Sequence, residues 1–141
     1  MAAFQKFNAF VEHLAEKVHN LGADTLKVLL TNTAPVATNS VKADLTEISA
    51  GNGYTAGGTA ASITSSSQTS GTYKLVLGDV VFTASGGTIG PFRYAVLYND
   101  TPTSPADPLI GFWDYGSSIT LNDTEPFTVD YDPTNGVLTL V

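Results

Sequence analysis

The chain has 141 residues and no cysteine, carries a formal net charge of −7, and is only 13% charged. That length makes one domain with a core of its own, and the missing cysteine removes disulfides, thiolate metal sites and thiol catalysis together. Residues 1–74 balance five Lys against five acids, while residues 75–141 set Arg93 against eight acids; with no basic face to neutralise phosphates, nucleic acid is not an expected partner, and an anionic membrane surface is disfavoured too.

From Met1 to Val11 no basic segment precedes an apolar run, which argues against a secretory signal. No stretch has the unbroken apolar length of a membrane span. Residues 3–21 read as the one helix. Phe4, Phe7, Val11, Leu14, Val18 and Leu21 recur at alternating spacings of three and four, a helical stripe, and Gly22 supplies a stop. Phe10 lies just off the stripe and widens the apolar face. The helix is expected to pack on its own sheet, with docking against a neighbouring subunit as the alternative. Phe4, Phe7, Phe10, Val11 and Leu14 are the candidate interface residues.

Residues 24–141 read as a β-rich body, so the whole chain is a single domain. Asp24 to Thr31 alternates as a strand, Thr31 to Ser40 is a loop by composition, and Asp44 to Ser49 is either a short helix or a strand. Ser49 to Gly58 holds four glycines without the spacing of a phosphate cradle. Ser62 to Thr72 is a polar strand edge or loop. Tyr73, Leu75 and Leu77 alternate, Val80 and Phe82 take the opposite phase, and Gly78-Asp79 marks a bulge or break. Ile89 to Asp100 is apolar on both faces and belongs in the middle of the fold. Phe92, Tyr94, Val96 and Tyr98 are assigned to one side of it, Ala95 and Leu97 to the other. Leu109 to Tyr115 looks like its neighbour. Ser117 to Leu121, Phe127 to Tyr131 and Val137 to Val141 complete the set, the last two joined as a hairpin through Asp132 to Gly136. One helix followed by many short strands predicts a mainly β, antiparallel sandwich or jelly-roll-like domain.

Chemistry-bearing patterns are weak. His13 and His19 are about 240° apart on a helix and read as surface residues, not a metal pair. Asp130 to Gly136 is an incomplete likeness of a calcium loop, and a turn explains it. Asp114 and Asp130 are conceivable as a glycosidase pair, but no spacing rule joins them. No catalysis, cofactor or metal is therefore expected. Arg93, alone among apolar neighbours, needs a carboxylate or several carbonyls. Asp114 on the adjacent strand is the predicted partner, with a charge pair across a subunit boundary as the alternative. Trp113, the only tryptophan, reads as core.

Several segments then line up in order: Glu47-Ile48, Gly51-Asn52-Gly53-Tyr54-Thr55-Ala56-Gly57-Gly58, Gly90-Pro91-Phe92-Arg93-Tyr94, Leu97-Tyr98-Asn99-Asp100, Leu109-Ile110-Gly111, Asp114-Tyr115-Gly116, and the closing Gly136-Val137-Leu138-Thr139-Leu140. Together they resemble the small virion structural proteins of tailed bacteriophages, specifically the capsid decoration, or cement, proteins. The resemblance implies a homotrimer on the outer head surface, made in the host bacterial cytoplasm, with the major capsid protein as partner and no catalytic residue. The alternative is a tail or fibre component contacting a host glycan through exposed aromatics such as Tyr54, Tyr98, Trp113 and Tyr115. For a cement protein, the neutral half (residues 1–74) is expected to supply most of the shell contact.

Overall fold

The computed structural model describes residues 2–141. It is mainly β: antiparallel strands in a sandwich-like arrangement with one helix near the N-terminus. The strands are β1 (Gln5–Lys6), β2 (Leu26–Thr31), β3 (Thr59–Ala61), β4 (Ile63–Thr69), β5 (Thr72–Leu77), β6 (Val80–Thr83), β7 (Ile89–Asn99), β8 (Leu109–Leu121), β9 (Pro126–Val129) and β10 (Leu138–Leu140), and the helix is α1 (Asn8–Ala15). They form a five-stranded sheet ordered β1-β8-β7-β2-β3, a three-stranded sheet β10-β5-β4 and the pair β6-β9.

The central strands behave as their alternation predicts. β7 pairs with β2 on one side and β8 on the other. Ala95 and Leu97 enter the larger core with Phe10, Leu26, Phe82 and Ile110, while Val96 and Tyr98 enter a smaller one with Phe7, Leu29, Leu109 and Phe112. Phe92 does not share the side of Tyr94, Val96 and Tyr98: it lies in the larger core. The pairing register shifts at the same place, between Phe92 and Tyr94, which face Ile119 and Asp114, so that residues 115–118 of β8 bulge outward. A second shift leaves Ile110 as the extra residue between Leu97–Gly111 and Tyr98–Leu109. It reverses the side-chain phase, so Phe112 joins Leu109, and Trp113 packs with the core that holds Ile110.

The helix is much shorter than residues 3–21. Gln5 and Lys6 are extended and pair with Phe112 and Gly111, Phe7 is the extended residue before the first turn, and Lys17 adopts φ +69° just past the last turn. The apolar stripe is therefore divided among three local conformations. Phe7 and Phe10 are buried at 0% and 2% exposure, whereas Val11, assigned to the apolar face, is 50% exposed. A two-turn helix that buries Phe10 turns Val11 away from the same contact.

The predicted hairpin at the end of the chain is also corrected. β9 pairs with β6 and β10 with β5, so residues 130–137 cross from one ladder to another. The turn chemistry itself holds: the Asp132 carboxylate accepts from the Thr134 and Asn135 backbone N–H groups and from Asn135 Nδ2. The charge halves are not spatial halves either. β2 lies between β7 and β3, and Lys27 and Lys42 pair with Asp100 at 3.0 Å and Asp107 at 3.5 Å.

Candidate binding surface

The glycine-rich segment before β3 is tied down rather than free. β3 covers β2 only as far as Val28, leaving the backbone of Leu30 on that edge to find other partners. The Tyr54 hydroxyl accepts from the Leu30 N–H at 3.0 Å and donates to Glu47 Oε1 at 2.6 Å, while the Ile48 N–H donates to the Leu30 carbonyl. The same Glu47 oxygen accepts from the Gly57 N–H, and the Tyr98 hydroxyl donates to the Gly57 carbonyl, each at 2.6 Å. Burial, aided by the bond to Glu47, pushes the Tyr54 hydroxyl well above its ordinary pKa, so it remains a donor at any working pH. Gly58 has φ +78° and lies against the Val28 backbone, where a Cβ would collide. The observed role of these residues is to close the edge of β2.

At the end of the sandwich where β2 finishes, four segments without charged residues are fastened in two pairs. Ser118 donates to Asn32 Oδ1, Asn52 Nδ2 donates to the Thr88 carbonyl, and the Ser85 N–H donates to the Asn52 carbonyl. The bulge of β8 belongs to the same end, since Tyr94 faces both Thr31 and Asp114. Arg93 forms the expected pair: Nε and Nη2 donate to the two Asp114 oxygens at 2.7 and 3.0 Å. Asp114 also accepts from the Gly116 N–H at 2.8 Å, which holds the bulge. These bonds, the guanidinium first and the Gly116 N–H second, keep the Asp114 carboxyl below the usual carboxylate range. The exposed run Tyr115 to Ser118, with Asn32 to Ala34, Ser49 to Gly53 and Ser85 to Thr88, gives this end many uncharged hydrogen-bonding groups, with the Asp123 carboxylate, which accepts from the Gly86 N–H at 2.8 Å, as a charge at its margin.

Beside the bulge is a groove of about 460 Å³. Its rings form two tilted rows. Trp113 touches Phe4 at 5.3 Å and Tyr131 at 5.5 Å, and Phe127 touches Phe92 at 5.0 Å and Tyr115 at 5.6 Å. Arg93, Thr128 and Asp130 also line it. β9 pairs only with β6, so its other edge is free.

No known family, characterised protein or solved structure matches the chain.

The candidate interface residues fall into two groups. Phe7 and Phe10 are consumed by the protein's own cores, and Leu14 packs half-buried against the larger one. Val11 alone of the helical set is exposed. Phe4, Trp113 and Arg93 meet at the groove, with Asp114 behind Arg93. Trp113 is half-buried, not a sealed core residue.

The histidines are not a surface pair. The chain reversal after α1 brings the His13 and His19 rings to 6.0 Å, and His19 is buried. Asn99 Nδ2 donates to His19 Nδ1 at 3.1 Å and to Asp24 Oδ2 at 2.7 Å. This bond puts the neutral ring's proton on Nε2, which has no partner. Burial, then the neighbouring His13, pulls the His19 pKa down to about 4.

Among the described residues no three His, Cys, Asp or Glu side chains converge as a metal site requires, and no helix is long and apolar enough to cross a membrane. Asp132 is spent on its turn and Asp114 on Arg93 and Gly116. The Glu47 clasp and the His19–Asn99–Asp24 cluster are absent from the sequence-based candidates. The only signal for the first is a lone acid just before a tyrosine-bearing glycine run. The second joins residues far apart in the chain and leaves none.

Proposed function

We infer that the chain is a structural protein of a tailed-bacteriophage particle that binds the outer head surface and stabilises the shell. The observation that carries this reading is the largely uncharged end built from Asn32, Ser49 to Gly53, Ser85 to Thr88 and Tyr115 to Ser118, whose segments are bonded in two pairs with the Asp123 carboxylate at the margin. Such a surface meets a large protein partner with little desolvation of ions, and its internal bonds lower the entropy lost on contact. The phage-like segments support the same conclusion, because Glu47, Tyr54, Gly57 and Tyr98 are structural in this fold.

Stabilisation follows from linkage. A protein that binds only the assembled, expanded shell favours that state by mass action, about 2.7 kcal/mol per site at a free concentration of 100 Kd. Repetition over a symmetric shell multiplies a modest contact. The resemblance implies a trimer, but α1 is a poor source of its interface, since Phe7 and Phe10 are already buried. The interleaved strands also move the proposed shell contact from residues 1–74 as a block to this one end. A tail or fibre component is the second reading, and the aromatic groove favours it.

The test is co-sedimentation with expanded heads of the parent phage stripped of decoration. Ala50→Glu combined with Ser117→Glu, both at exposed positions, should lower occupancy about tenfold or more, while Val11→Glu leaves it unchanged. Full occupancy by the double variant, or no binding by the wild type, contradicts the reading.

A further inference from the structure

Apart from Tyr115, which the groove shares with the proposed shell contact, the groove beside the β8 bulge has a composition that the shell contact does not use. Phe4, Trp113, Tyr115, Phe127 and Tyr131 present aromatic surface, and Tyr115 is 56% exposed. Bulk apolar filling is not all that the walls ask for. Arg93 is held in place by its two bonds to Asp114, which leave Nη1 unspent. Thr128 and Asp130 are exposed, and neither side chain has a hydrogen-bond partner among the described residues. The Tyr131 hydroxyl is buried with no partner although its ring lines the groove, a costly state for a polar group. Donors and an acceptor are thus interleaved with ring faces in a concavity whose volume falls in the range of small-ligand sites.

The chemistry of the occupant follows by comparison. An anionic ligand would meet Asp130, Asp132 and a chain of net charge −7 with only Arg93 to receive it. A wholly apolar segment would leave Asp130 and Thr128 without partners as it excluded water. A neutral ligand with apolar C–H faces and many hydroxyls satisfies both: its faces lie on the rings, and its hydroxyls reach Arg93, Thr128 and Asp130. We propose that this groove is a binding site for a neutral saccharide, with Trp113 and Tyr115 as the stacking residues and Asp130 and Arg93 as the hydroxyl-binding pair. The proposal does not rest on the position of the protein in a particle; a head or a tail protein can carry it.

Trp113 is the only tryptophan and lines the groove, so its fluorescence reports occupancy directly. The probes are cellopentaose, mannopentaose, chitopentaose and galactopentaose, titrated into the full chain to about 10 mM, with oligogalacturonate as the anionic comparison and the dye ANS as the apolar one. At least one neutral sugar should give a saturable change, with a Kd of roughly 10 μM to 1 mM. Tyr115→Ala and Asp130→Asn, both at exposed positions, should each weaken it about fivefold or more without altering the melting temperature. No response to any neutral sugar overturns the proposal, as does a response that survives both substitutions. Saturation by oligogalacturonate or ANS alone overturns it in favour of an anionic ligand or an apolar protein partner.

Discussion

Replacing Tyr54 by Phe removes one oxygen from the edge of β2 and leaves the ring in place. That oxygen is the acceptor for the Leu30 N–H, at a residue with 0% exposure, and a donor to Glu47. No strand is available to take over, because β3 pairs no further along β2 than Val28. An unsatisfied buried backbone donor costs about 1–3 kcal/mol, and a lost bond to a carboxylate adds about 1–2 kcal/mol in a half-buried site. Glu47 retains the Gly57 N–H, so the second contribution is partial and the expected loss is about 2–4 kcal/mol. For a chain of this size that is a fall in melting temperature of roughly 6–16 °C. Urea unfolding at fixed pH measures it directly, and an unchanged m-value establishes that the native state, not the compactness of the unfolded one, has altered. In a cycle with Glu47→Ala the two effects should fall short of additivity by about 1 kcal/mol or more. A Tyr54→Phe loss below about 0.5 kcal/mol would refute the argument that this hydroxyl stands in for a missing strand.

Gly58→Ala should be more damaging still, by about 3 kcal/mol or more, because the new methyl meets the Val28 backbone at a positive φ; a melting curve matching wild type would contradict the packing. Stability should also fall on mild acidification. His19 titrates near 4 when folded and near 6.5 unfolded. The unfolded chain therefore binds the extra proton first, and stability that is complete above about pH 6.5 is lost as the pH falls towards 4, by up to about 3 kcal/mol. Urea midpoints from pH 7.5 to 4.5 test this, and His19→Gln should flatten the slope; an unaltered slope in that variant would assign the pH dependence elsewhere.

What the sequence made legible was local. Alternation in Ile89 to Asn99 and Leu109 to Tyr115 marked β7 and β8 as neighbours, and the solitary Arg93 pointed to Asp114, the carboxylate it binds. The failures were matters of continuity and partner choice. A stripe spaced by threes and fours from Phe4 to Leu21 looks like one helix, yet Phe4, Phe7 and Leu21 are apolar because of what they touch, not because one helix carries them. Asp132 to Gly136 has the composition of a tight turn and makes one, but no turn residue encodes which ladder the next strand joins. The pairing of β7 with β8 shifts register between Phe92 and Tyr94, and alternation alone carries no count of the residues in such a shift, so it puts Phe92 on the wrong side. The groove was beyond reach for the same reason: it needs Phe4, Trp113 and Tyr131 together, and only the fold brings them within about 5.5 Å of one another in sequence-distant pairs.

The most direct test of the virion role is an electron cryomicroscopy reconstruction of the parent particle with this chain fitted to the density. The account predicts copies on the outer head surface over the contacts between major capsid subunits, with Asn32, Asn52, Thr88 and Ser118 turned towards the shell. Density for the chain in the tail or a fibre, with bare shell contacts on the head, would contradict it.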